Sequence, residues 1–197
     1  MPYNFPKISE YVGLGSAKIN SALRESKNLD IVQRDIDLLK IELQQLEPLN
    51  NKIVYRDDHI TEWNEYSIFF NYLKGKILKR PEFLSVFQNK PKKNTPYQLI
   101  IKTAKESRCM NIIPALMQSP YHADNLKAKF ENEGIFLPDT NFKIIDVNDK
   151  KEFIFLEETQ CDSLFTYNRN VMINHHCLKS IIKERDFPES ASEKGLI

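Results

Sequence analysis

The sequence predicts an α+β protein, with a helical N-terminal half followed by a small β-hairpin or sheet flanked by helices. Three observations carry that expectation. Apolar residues recur at helical spacing from Leu29 to Leu46, the period changes to two between residues 141 and 158, and the segment "NKPKKNTP" separates the two regimes. A chain of 197 residues, 41% of them hydrophobic, is long enough to bury a core of ordinary size.

The elements follow in order. "GLGSAKINSALRES" reads as a helix with Ser16 as its N-cap. The Gly13-Leu14-Gly15 run before it lacks the preceding strand and the full glycine spacing of a phosphate loop. Leu29, Val32, Ile36, Leu39, Leu43 and Leu46 are spaced by three and four residues and lay an apolar seam along one side of a helix that stops before Pro48. The seam is too short for a coiled coil, so it is expected to pack within the chain, against a helix around "TEWNEYSIFFNYLKG". Asp57, Asp58 and His59 stand before that helix, where acidic groups complement the helix dipole.

"RPEFLSVFQ" fits a short helix with Pro81 in its first turn. Residues 89–96 read as a linker between a helical region, 1–88, and an α+β domain, 97–186, with a flexible tail at 187–197. "TPYQLIIKTAKESRCMNIIPALMQ" reads as two helices. "SPYHADNLKAKFENEG" reads as another, opened by Ser119 and Pro120 and closed by Gly134. "NFKIIDV" and "EFIFLEE" then alternate and carry β-branched and aromatic residues, a hairpin joined by Asn148-Asp149-Lys150-Lys151. "NVMIN" fits a third strand and "HHCLKSIIKERD" a last helix.

Charge is unevenly distributed. Residues 74–108 hold ten basic and two acidic residues, a net +8 that leaves −7 for the rest of a chain of net charge +1. Such a block is either a solvated face or an electrostatic footprint for nucleic acid, in which case Lys90, Lys92, Lys93, Lys102 and Lys105 would contact phosphates. Cys109, Cys161 and Cys177 are odd in number and lack C-x-x-C spacing, which fits free thiols in a reducing compartment and an intracellular, cytoplasmic protein. No stretch approaches the run of roughly 18 apolar residues that a membrane helix needs, so no membrane partner is expected.

The strongest chemical signal is "LPDTNFKIIDVNDKKEFIFLEETQ", residues 137–160. Pro138-Asp139 precedes the first strand, Glu158-Thr159-Gln160 ends the second, and Glu131 and Glu133 come just before. In this the segment resembles the PD-(D/E)XK nuclease superfamily, with Gln160 at the position that usually holds Lys. The resemblance implies Asp139, Glu158 and Gln160 as catalytic residues, with Asp139 and Glu158 binding Mg²⁺ or Mn²⁺, which would polarise the scissile phosphate and activate a water. Asp146 is a rival to Asp139 as metal ligand. The function expected is therefore a metal-dependent nuclease or nuclease-like nucleic-acid-binding protein. The alternative is a non-catalytic interaction or accessory protein that uses its helical half to hold a protein partner.

Overall fold

A computed structural model describes residues 5–58, 74–90, 97–119, 132–148 and 153–160. Met1–Tyr167 form one compact unit; the second unit, Asn168–Ile197, lies outside the described residues, as do the expected 61–73 helix, the third strand and the last helix. The chain opens with α1 (Pro6–Glu10), a π-helical turn (Tyr11–Gly15) and α2 (Ser16–Glu25), followed by α3 (Leu29–Leu43). α3 buries Val32, Ile36, Leu39 and Leu43, so the seam is an intramolecular packing face. Glu42 ties α3 to α1: its carboxylate accepts hydrogen bonds from the backbone N–H groups of Lys7 (3.1 Å) and Ile8 (2.9 Å), which the first turn of α1 leaves unpaired.

From residue 53 onward the architecture departs from the helical expectation. β1 (Ile53–Asp58), β2 (Ile77–Arg80), β3 (Leu84–Phe87), β4 (Tyr97–Lys102), β5 (Cys109–Asn111), β6 (Glu133–Phe136), β7 (Thr140–Asn148) and β8 (Phe153–Thr159) build one mixed sheet in the order β2-β7-β8-β4-β1-β3-β6-β5. The short helix α4 (Ile113–Met117) is the remaining helix among the described residues. A helical half followed by a small hairpin is therefore corrected to an eight-stranded sheet with a helical layer. Strands from before and after residues 89–96 are neighbours within it: β2 pairs with β7, β1 with β4, and β3 with β6.

The physical reason lies in how short apolar runs resolve. "FLSVF" and "YQLIIK" have too few residues for periodicity to separate helix from strand, and their backbone groups find partners only on distant strands. Gly134 likewise sits inside β6 rather than closing a helix. A Cβ there would lie 2.7 Å from Leu49 Cδ1 and 3.0 Å from Cys109 Sγ, so glycine answers a close approach between packed strands. The hairpin of β7 and β8 does form, antiparallel, with a bulge between Ile144 and Asp146.

Two cores result. One joins the helical layer to one sheet face through Ile36, Leu39, Phe83, Ile112 and Ile135. The other is made almost wholly of strand residues, among them Val54, Val86, Leu99, Phe136, Phe142 and Leu156. Phe136 on β6 and Phe142 on β7 stand near opposite ends of the strand order, yet their rings meet edge to face at 5.0 Å. The sheet therefore curls onto itself, which lets its ends bury each other.

Candidate functional site

The acids of the hairpin do not converge. Asp139 is exposed, has a left-handed backbone (φ 60°) and pairs with Lys79 at 2.9 Å. Glu158 is buried on the inner face of β8 beside Ile154 and Leu156. Its carboxylate accepts hydrogen bonds from Ala104 N (2.8 Å), Ser107 Oγ (2.6 Å) and Arg108 N (2.6 Å), clamping the turn after β4. Phe142 is the register partner of Glu158, which puts Asp139 three residues further along, roughly 10 Å away. Gln160 is exposed beyond the strand end. Among the described residues no group of three His, Cys, Asp or Glu side chains is placed to hold a metal, so the expected Mg²⁺ or Mn²⁺ centre is corrected.

Many of the basic residues of 74–108 are occupied by hairpin groups. Lys74 pairs with Asp146, Lys79 with Asp139 and Lys102 with Glu157, and Lys90 stands over the Phe153 ring at 4.9 Å. Lys105 is exposed on the turn after β4, and Lys92 and Lys93 lie outside the described residues. No helix among the described residues is long and apolar enough to cross a membrane.

A different constellation lies where β1, β3 and β6 run side by side beneath the helical layer. Arg56 on β1 reaches its neighbour, Nη1 donating to the Ser85 carbonyl at 2.7 Å. Its Nε is buried and has no hydrogen-bond partner among the described residues. On the next strand, Glu133 opens β6 and is 6% exposed. Register fixes its surroundings: Phe155, Ile100, Tyr55, Phe87 and Glu133 form one row across β8, β4, β1, β3 and β6. Ser85 opposes Ile135, so Ser85 and Glu133 are diagonal neighbours on one face, with Cβ atoms about 7–8 Å apart.

Tyr11 covers this face. It is 2% exposed, packs edge to face on Phe83 at 5.6 Å, and its hydroxyl donates to the Phe83 carbonyl at 3.3 Å. Burial pushes its hydroxyl pKa up to about 12. The Asn20 amide, the Arg56 charge and the Ser85 hydroxyl oppose that rise, and the Glu133 charge adds to it. Tyr11 thus senses Arg56, Ser85 and Glu133 together. Because the folded-state pKa lies above the ordinary value of 10, the associated stability is complete below pH 10 and is lost as pH climbs towards 12. Tyr11→Phe should lack this component, roughly 2–3 kcal/mol, when urea unfolding is compared at pH 9 and pH 12. Equal pH slopes for the two proteins would contradict it.

These residues carried little local signal. Arg56 interrupts the β-prone run "IVYR", whose Asp57-Asp58 continuation looks like the start of a helix. Ser85 follows Pro81, which mimics a helix start, and Glu133 precedes Gly134, which mimics a helix stop. The alternation in "LSVF" was the available clue.

A carboxylate sheltered from water, diagonal to a serine whose carbonyl holds a guanidinium, suits a substrate that carries an anion and builds positive charge as it reacts. No protein-family model and no curated protein matches the chain. Solved structures do match. ADP-ribosyltransferase Vis is 18% identical, with 85% of this chain and 79% of that one covered at a TM-score of 0.62. C3larvin toxin, an ADP-ribosyltransferase from Paenibacillus larvae, is 19% identical, with 81% and 95% covered at 0.57. The Clostridium limosum C3 exoenzyme is 14% identical, with 81% and 86% covered at 0.60. The resemblance to PD-(D/E)XK nucleases, confined to one hairpin, gives way to a likeness over four-fifths of the chain, and neither the nuclease reading nor the non-catalytic alternative is supported: the fold is that of ADP-ribosyltransferases.

Proposed function

We propose that this chain is an ADP-ribosyltransferase that uses NAD as donor, with Arg56, Ser85 and Glu133 at its active site. The observation that carries the reading is the buried Glu133 carboxylate diagonal to Ser85, whose carbonyl holds Arg56, in a fold shared with enzymes of that activity. NAD supplies the ADP-ribosyl group: its ribose–nicotinamide bond breaks, positive charge builds on the ribose, and nicotinamide leaves as a neutral molecule. Arg56, tethered through Nη1 to the Ser85 carbonyl, holds the anionic part of the donor. Glu133, kept from bulk water, opposes the developing positive charge, as carboxylates do when glycosidic bonds break. Ser85 orients both neighbours, Arg56 through its carbonyl and Glu133 from its diagonal position.

The acceptor in this reading is a protein side chain. Vis has been solved with agmatine, a guanidinium compound, which makes agmatine the first acceptor to try. The buried free thiol of Cys109 fits a reducing compartment as the place of action. The test is nicotinamide release from NAD, followed by chromatography, with water, agmatine or cell-lysate proteins as acceptor. Release is expected with at least one of them, and Arg56→Lys should raise KM for NAD about tenfold, since the ammonium lacks the planar fork of donors. A wild-type protein that releases no nicotinamide with any acceptor ends the reading.

A further inference from the structure

The helical layer does more than cover the sheet. In an uninterrupted α-helix, residues nine apart are separated by nine steps of about 100°, which puts Tyr11 and Asn20 on opposite sides. Here the helix contains a π-helical turn, Tyr11–Gly15, closed by the bond from Ser16 N to the Tyr11 carbonyl. One inserted residue absorbs one step and leaves about 80°, so the two side chains face the same way. They meet: Asn20 Nδ2 donates to the Tyr11 hydroxyl at 2.8 Å.

Both then grip one residue of the sheet. Asn20 Nδ2 also donates to the Phe83 carbonyl at 3.1 Å, Asn20 Oδ1 accepts from the Phe83 N–H at 3.2 Å, and the Tyr11 hydroxyl donates to the same carbonyl at 3.3 Å. Phe83 immediately precedes β3, and Ser85, two residues on, is the anchor of Arg56 and the diagonal neighbour of Glu133. Phe83 lies just outside the paired residues of β3 among the described residues, and this amide clamp holds its N–H and carbonyl in place of ladder bonds.

We infer that Tyr11 and Asn20 are positioning residues for the proposed site: the π-helical turn aims them at the Phe83 backbone, and through it they set where Ser85, and with it Arg56, stands. The inference rests on the ADP-ribosyltransferase reading. It gives Tyr11 and Asn20 a part in holding the site in place, beyond covering the core.

The experiment compares wild type, Asn20→Ala, Tyr11→Phe and Glu42→Ala in nicotinamide release from NAD, with amide hydrogen exchange at Phe83 followed in parallel. Asn20→Ala should speed exchange at Phe83 and lower kcat about 10- to 100-fold, the scale on which displaced reacting groups lose rate. Tyr11→Phe keeps the ring on Phe83 and should lose less. Glu42→Ala loosens the same helical layer at α1 without touching Phe83, and should lower the melting temperature while holding kcat within about twofold. Wild-type release with undiminished kcat in Asn20→Ala overturns the positioning role alone, and so does an equal loss in Glu42→Ala. Absence of release by wild type overturns the reading of the site itself.

Discussion

Glu133→Gln is expected to lower nicotinamide release from NAD about 10²- to 10³-fold, the loss typical when a preorganised group that meets developing charge is removed. The substitution keeps the shape of the side chain and its place in the row beside Phe87, and deletes only the negative charge. Because Glu133 is 6% exposed, solvent does little to screen that charge, and its removal takes away a strong interaction with the reacting ribose. The loss should therefore fall on kcat, with NAD binding and the melting temperature little changed. Glu157→Gln, on the opposite side of β8 from Glu158 and paired with Lys102, serves as the control that keeps full activity. A Glu133→Gln protein within tenfold of wild type would show that the charge building on the ribose is met elsewhere.

Glu158→Ala should have the largest effect on stability. Its carboxylate is the acceptor for two backbone N–H groups and one hydroxyl in the turn from Ala104 to Arg108. Truncation leaves these donors facing a cavity in a buried region, at a cost of about 3–5 kcal/mol. For a chain of this size that is a fall in melting temperature of roughly 10 °C or more. The neighbouring Cys109 adds a second readout. Burial, and then the Glu158 charge, raise its thiol well above the ordinary range, so loosening this corner should let a thiol reagent reach it faster. A melting temperature within 1 °C of wild type, with Cys109 still inert, would mean that Glu158 is not the clamp the geometry makes it.

The sequence alone determined the elements whose signal is local. The seam from Leu29 to Leu43 lies on a helix and buries Val32, Ile36, Leu39 and Leu43 because apolar residues at a period of 3.6 over about four turns line one face of a helix, while Leu46 packs from the turn beyond. The alternation of 141–158 forms its hairpin because the two strands are separated by only four residues in sequence and find each other locally. Only the tertiary structure decided the rest. Short apolar runs such as "FLSVF", "YQLII" and "EGIF" became strands because the hydrogen-bond partners they require belong to residues far away in the chain. The same long-range pairing assembled Tyr11, Asn20, Arg56, Ser85 and Glu133, which share no spacing motif, at the junction of three strands and a helical layer. It also turned Glu158, the most conspicuous acid in the sequence, inward as a clamp, since burial and the donors around a carboxylate, rather than its place in a motif, set what it does.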